Sequence, residues 1–258
     1  MISQDSVLRN LPSGLDRKQA LFFDGLRHAA EIAEFSYRRL QITLATNAMQ
    51  EHQAEERAPL FTSAFVDAWA VVDSVDRFRA LWQLLPIPGY PRRREIPVGS
   101  FLHFSQPIRD LRNVADHLAQ RADYVVARNG SALGILSWVT VPDASTLNAL
   151  SCAIVPGTVL PGHGAKVPIP TGRIIELPSD MIELKAGEYA VNLSEQLPRV
   201  RDVVARIEAS LDIEFRTKGV RETNPNTDIL VIGELQMHAA VGGSDVQPCA
   251  PADGFAAR

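Results

Sequence analysis

The chain has 258 residues, 46% of them hydrophobic, with 26 Lys+Arg against 30 Asp+Glu and a formal net charge of -4; that is ample apolar content for a packed core. The charge balance, with a pI near 5.9, excludes the broad basic surface of a protein that grips long nucleic acid non-specifically. Two cysteines, Cys152 in an apolar run and Cys249 in the tail, exclude a disulfide framework and have no metal-ligand spacing.

Met1 to Asp16 lacks the apolar centre of a signal peptide, and no apolar run approaches the length of a membrane span. A soluble protein of the reducing cytoplasm, without a membrane partner, is expected. Asp16 with Gln19 three positions on has the spacing of a capping box. Leu26, Ala30, Ala33, Tyr37, Leu40 and Leu44 then mark the buried stripe of a first helix running to about residue 50. The polar stretch His52 to Arg57 and Pro59 interrupt the pattern. Phe65, Ala68, Trp69, Val72, Val75 and Trp82 define a second helix, and the short loop between the two predicts an antiparallel pair. This second helix carries Asp67, Asp73 and Asp76. The last two lie at the edge of the apolar stripe, where they either orient a basic group across the bundle or pair locally, Asp73 with Arg77 at i, i+4.

Prolines 86, 88, 91 and 97 with Gly89 make residues 86–99 an irregular connector, in which Arg92-Arg93-Arg94 is a basic run suited to phosphate or to plain solvation. A third helix is predicted from about residue 101 to Asn129-Gly130, with Pro107 breaking or kinking it so that the regular part begins there. That start places the following residues near a helix N-terminus, which favours anions. Leu111, Val114, Ala115, Leu118, Ala122 and Val125 form its buried face. At about 100° per residue, Arg112, Asp116, Asn113 and His117 fall on one arc of about 140° pointing away from that face. Arg can hold two phosphate oxygens with its planar fork, and His carries protons near neutral pH, so the patch suits work on a phosphodiester. A solvated face with Arg112 paired to Asp116 at i, i+4 accounts for the same residues.

The pattern Arg112-Asn113-x-x-x-His117 resembles the signature of the HEPN superfamily of helical domains (higher eukaryotes and prokaryotes nucleotide-binding), whose motif is Arg, a polar residue, then His after four to six intervening positions. The resemblance covers the motif helix and, more loosely, residues 17–128 with a helix near 198–215. It implies a helical bundle that dimerises around the motif and, in many members, cuts RNA without a metal; other members are inactive. Arg112, Asn113 and His117 inherit the catalytic roles, with Asp116, Asp73 and Asp76 as possible supporting acids.

Beyond residue 131 the period changes. Ala132 to Val141 and Leu147 to Val155 read as strands flanking the turn Pro142-Asp143-Ala144-Ser145. After a Gly- and Pro-rich loop, Arg173 to Leu177, Met181 to Leu184 and Tyr189 to Leu193 read as further strands. Within that loop Pro161-Gly162-His163-Gly164 lacks the strand-loop-helix context of a phosphate cradle. Val200, Val203, Val204, Ile207 and Leu211 mark a last helix with Pro198 in its first turn, Ile229 to Ile232 suggests one more strand, and residues 242–258 have tail-like composition.

The expected fold is α+β: a mostly antiparallel four-helix bundle, with an antiparallel β-meander inserted between the third and fourth helices. The expected segments are 1–130, helical with the motif; 131–193, the β-rich insert; 194–217, the fourth helix; and 218–258, an extended or disordered tail. The resemblance implies a metal-independent ribonuclease, acting as a toxin or defence effector, with RNA as substrate, a second copy of the chain as partner and an antitoxin or other protein as a further one; no cofactor is expected. His28, His52, His103, His163 and His238 are scattered over several elements and call for no metal, although folding can bring some together. The alternative is a non-catalytic HEPN-like dimer that binds a partner protein or a nucleotide.

Overall fold

The computed structural model describes residues 2–49, 54–86, 96–117, 120, 122–123, 131–143, 145, 148–156, 170, 172–218, 228 and 230–232. Helix α1 spans Arg17–Met49 and α2 spans Ala54–Leu84. Asp16 caps α1 by accepting hydrogen bonds from the Lys18 and Gln19 backbones at 3.0 and 3.2 Å. The Gln19 amide donates to the Pro86 carbonyl instead of turning back, so half of a capping box forms and its other half ties α1 to the end of α2. The pair is antiparallel. A Cβ on Gly25 would meet Leu81, and Arg39 reaches Asp67 at 3.3 Å, so early α1 meets late α2 and the middles of the two meet each other. All six residues of the expected α1 stripe are buried, as are Phe65, Ala68, Val72 and Val75; Trp69 and Trp82 stay partly exposed at its border.

A one-turn helix α3, Phe101–Phe104, leads through Ser105 into α4, Gln106–Asp116, with Pro107 in the first turn. The regular part of this helix therefore does begin at the proline. The helix is broken where its apolar spacing predicts continuity: His117 leaves the helical conformation at φ -110° and ψ 23°; Ala122 and Asp123 are helical again, but Ala122, expected on the buried face, is exposed. Leu118, Val125 and Asn129-Gly130 lie outside the described residues.

Strands β1 (Ile135–Asp143), β2 (Asn148–Ile154), β3 (Ser179–Ala186) and β4 (Tyr189–Asn192) form one antiparallel sheet in the order β2-β1-β3-β4. The β1–β2 hairpin is as expected. A meander would place β3 beside β2, whereas β3 pairs with β1. Burial explains the order: every residue from Ile135 to Thr140 is buried, which suits a central strand, while β2 is largely exposed and suits an edge. Arg173 to Leu177 forms no strand, because the Ile175 and Glu176 amides donate to the buried Asp180 carboxylate at 2.6 and 2.9 Å instead of to a neighbouring strand. Met181, whose own amide donates to Asp180 at 2.7 Å, has φ 53° beside a register shift between β1 and β3. Residues 230–232 form no strand and are exposed.

Helix α5, Leu193–Thr217, starts five residues before Pro198 because Asn192 caps it, accepting from the Glu195 amide at 3.3 Å. Pro198 therefore sits inside the helix, where its missing N–H leaves the Ser194 carbonyl without the usual donor. The apolar faces of α1, α2 and α5 and the inner face of the sheet share one core, including Leu26, Leu40, Val75, Leu136, Trp138, Leu184 and Val203. Helix α4 packs on α2 and against β3 and β4, which sets its outer face beside the acidic edge of α2.

Candidate functional site between α2 and α4

Ile108, Leu111 and Val114 anchor α4 in the core, and the helical period then turns Arg112, Asn113 and Asp116 outward. His117 is exposed at the helix end, so the expected arc is present on the surface of the fold. Its position along the helix is not as expected. Arg112 lies in the second half of α4 and His117 caps its C-terminus, the end with partial negative charge, so the helix dipole does not favour phosphate there.

What holds Arg112 comes from α2. Its Nε donates to Asp73 Oδ1 at 2.9 Å and its Nη1 donates to Asp76 Oδ2 at 2.8 Å, while Asp116, the i, i+4 neighbour, stands at 3.8 Å. Asp73 thus pairs across the helices with Arg112, not locally with Arg77. Hydrogen bonding to Asp76 first, then the charges of Asp73 and Asp116, outweigh partial burial and raise the Arg112 pKa above its usual value. This guanidinium stays charged, and its orientation is set by a neighbouring helix.

Beneath it lies a polar layer that hydrophobic periodicity could not disclose. Asp76 and Arg79 are almost wholly buried; Arg109 Nη1 approaches Asp76 Oδ1 at 3.9 Å. Arg79 Nη2 donates to Gln106 Oε1 at 2.6 Å, and Gln106 Nε2 donates to Asp110 at 2.9 Å. Burial, followed by the nearby charge of Arg109, lowers the Arg79 pKa from its ordinary value, with Asp76 and Asp110 opposing. The one sequence signal for this layer was charged residues at core spacing on α2, at positions 76 and 79.

Two further polar centres lie elsewhere. The buried Glu34 accepts from Arg38 Nε at 2.8 Å and from Arg201 at 2.8 and 3.0 Å, and Arg201 also reaches Glu176 at 2.6 Å beside an open cavity of about 500 Å³. Folding also brings His28 together with Asp24 and Asp228, their ligand atoms within 4.8 Å of one another. The Nη2 atom of the buried Arg27 lies 2.8 Å from Asp24 Oδ1, 2.8 Å from Asp228 Oδ1 and 2.7 Å from His28 Nε2. The guanidinium already stands where these three groups converge, supplying the positive charge that a metal would bring.

His103 is exposed on α3 with its ring 5.5 Å from Phe104. His52, His163, His238, Cys249 and Arg92-Arg93-Arg94 lie outside the described residues. Cys152 is half-buried on the edge strand, and burial pushes its thiol pKa up, away from a reactive thiolate. No helix among the described residues is long and apolar enough to cross a membrane. Compared with protein-family models, with curated proteins and with solved structures, the chain matches none.

Proposed function

We propose that the α2–α4 groove is the site of a HEPN-like, metal-independent endoribonuclease, in a toxin or defence effector. The observation that carries this reading is the clamp on Arg112. A solvated helix face requires only the Asp116 pair, yet the shorter contacts, at 2.8 and 2.9 Å, come from Asp76 and Asp73 on another helix. A guanidinium held this way, beside exposed Asn113 and His117, is oriented before any substrate arrives.

In this mechanism the ribose 2′-OH attacks the adjacent phosphorus. His117 moves the proton of that hydroxyl or of the leaving 5′ oxygen, Arg112 neutralises charge on the phosphorane-like transition state, and Asn113 orients either group. The products are a 2′,3′-cyclic phosphate and a 5′-OH, and DNA, lacking the hydroxyl, is not cut. Incubating total RNA with the wild-type chain, Arg112→Ala and His117→Ala tests this. Cleavage lost about a hundredfold or more in both variants supports it; 3′-OH ends, equal cutting of DNA or undiminished variants overturn it.

A second reading has its own support. Asp73, Asp76 and Asp116 surround Arg112 and offset its charge, which weakens attraction to phosphate and suits a non-catalytic surface that binds a partner protein. An inactive chain whose Arg112→Ala variant loses a bound protein partner would favour it.

A further inference from the structure

We propose that Asp73 is a displaceable plug in the α2–α4 groove: its carboxylate holds the seat on Arg112 that a substrate phosphate would take, and Arg77 receives it when the phosphate binds. The plug regulates the groove proposed above and so rests on its phosphodiester reading. A guanidinium offers an oxyanion two flat edges, one formed by Nε and Nη2, the other by Nη1 and Nη2. Arg201 has the first edge filled, since Glu34 accepts from its Nε and Nη2 at 2.8 and 3.0 Å. On Arg112 the same edge is only half taken. Asp73 accepts from Nε at 2.9 Å, Asp116 stands 3.8 Å from that nitrogen without a hydrogen bond, and Nη2 makes no hydrogen bond among the described residues. The second edge is closed from beneath, where Asp76, its side chain 6% exposed, accepts from Nη1 at 2.8 Å.

The two acids of α2 differ in what holds them. Asp76 is fixed by burial, and pulling Arg112 from it would leave a carboxylate in the interior with less to answer its charge. Asp73 is 53% exposed and Arg112 38%, so theirs is a surface ion pair, weak and screened by salt. One turn further along α2 stands Arg77, exposed and without a hydrogen bond or ion pair among the described residues. A carboxylate and a guanidinium at i and i+4 lie within reach of each other on a helix. By a change of side-chain rotamer Asp73 leaves Arg112 for Arg77 with its charge still balanced, and a phosphate sets two oxygens on Nε and Nη2. The incoming anion then replaces one negative charge beside Arg112 instead of adding to those of Asp73, Asp76 and Asp116. Asp76 meanwhile keeps the guanidinium aimed.

Fluorescence anisotropy with a short 2′-O-methyl RNA, whose blocked hydroxyl prevents cleavage, tests the plug on the full chain at low salt. Asp73→Ala is expected to tighten binding about five- to tenfold, and Asp116→Ala, which removes an equal charge that makes no hydrogen bond to Arg112, by less than about threefold. Neither is expected to tighten binding in an Arg112→Ala background. Arg77→Gln is expected to weaken binding about threefold in the wild type and to change little once Asp73 is Ala, because the plug then needs no second seat. Equal tightening by Asp73→Ala and Asp116→Ala, tightening that survives Arg112→Ala, an Arg77→Gln effect of the same size in both backgrounds, or no binding to either the wild type or Asp73→Ala overturns the plug. The expected pattern of binding, together with an unmethylated RNA that stays uncut, supports the plug and overturns the nuclease reading alone.

Discussion

Arg112 on α4 and Asp76 on α2 meet at 2.8 Å across the helix interface, and the Asp76 side chain is only 6% exposed. A buried carboxylate there has its charge answered by Arg112 from outside and by Arg109 at 3.9 Å. Its second oxygen, Oδ1, makes no hydrogen bond among the described residues. The groove is therefore a place where structure and proposed chemistry draw on the same guanidinium.

Removing the two acids should separate those roles. Asp73 is 53% exposed, so Asp73→Ala should cost no more than about 1 kcal/mol of stability. Asp76→Ala takes from Arg112 its buried partner and from Arg109 and Arg79 a nearby counter-charge, which should cost roughly 1–3 kcal/mol. Urea unfolding measures both. Equal and negligible losses would mean the buried layer contributes nothing.

Position 112 itself should not tolerate Lys. Lys keeps the charge but cannot reach Asp73 through one nitrogen and Asp76 through another while presenting a flat edge to phosphate. Arg112→Lys is expected to fall within about tenfold of Arg112→Ala in RNA cleavage; a variant close to wild type would show that charge alone matters.

Acid should weaken the fold partly through Glu34. Burial pushes its carboxyl pKa up, but the hydrogen bonds and charge of Arg201, joined by Arg38, outweigh this and hold it below the usual glutamate range. A depressed pKa contributes stability that is full above the unfolded value, about 4.3, and is lost as pH falls through the folded one. Asp67 slopes the other way: burial raises its pKa despite Arg39, so its contribution is lost as pH rises from the unfolded value through the folded one. Glu34→Gln should flatten the acid limb of a stability–pH curve and lower stability at pH 7. Asp67→Asn should leave the pH 7 value unchanged or higher. Chemical denaturation across pH 3–8 (about the span over which both carboxyls titrate) checks both; a drop in the second variant as large as in the first would contradict the assignment.

Two glycines should respond in opposite ways to Ala. At Gly134, φ is 84° and a Cβ would lie 2.5 Å from the Lys185 carbonyl oxygen, a backbone atom that cannot step aside. Gly134→Ala should cost about 2–3 kcal/mol. At Gly25 the obstacle is Leu81 Cδ1 at 2.9 Å, the far end of a flexible side chain, and Ala favours the helix by roughly 0.5–1 kcal/mol. Gly25→Ala should therefore stay within about 1 kcal/mol of the wild type by thermal melting.

The extent of α1, its buried stripe from Leu26 to Leu44 and the strand pairs of β1 and β2 were readable because each announces itself by a local period. The arc of Arg112, Asn113, Asp116 and His117 was readable for the same reason. The partners of Arg112 were not, since Asp73 and Asp76 lie 39 and 36 residues away and no short-range pattern links them. Burial of Arg27, Glu34 and Arg79 was equally hidden, because a charged residue inside a helix reads as surface until its counter-charge is found. Helix α4 stops at Asp116, and Ala122 and Asp123 are helical again but exposed, so apolar spacing showed neither the break at His117 nor the exposure beyond it.

The contacts that close α1 over the core come from very late in the chain. Tyr37 donates to Ser194 at 2.8 Å across 157 residues, and Glu34 meets Arg201 across 167. During synthesis α1 precedes these partners by 157 and 167 residues, so a charged Glu34 and a phenol wait for them in the meantime. At translation rates of about 5–20 residues per second that interval is on the order of ten seconds or more. Throughout it α2, which follows α1 directly, covers part of the α1 stripe, while the side that will meet Ser194 and Arg201 stays open to water.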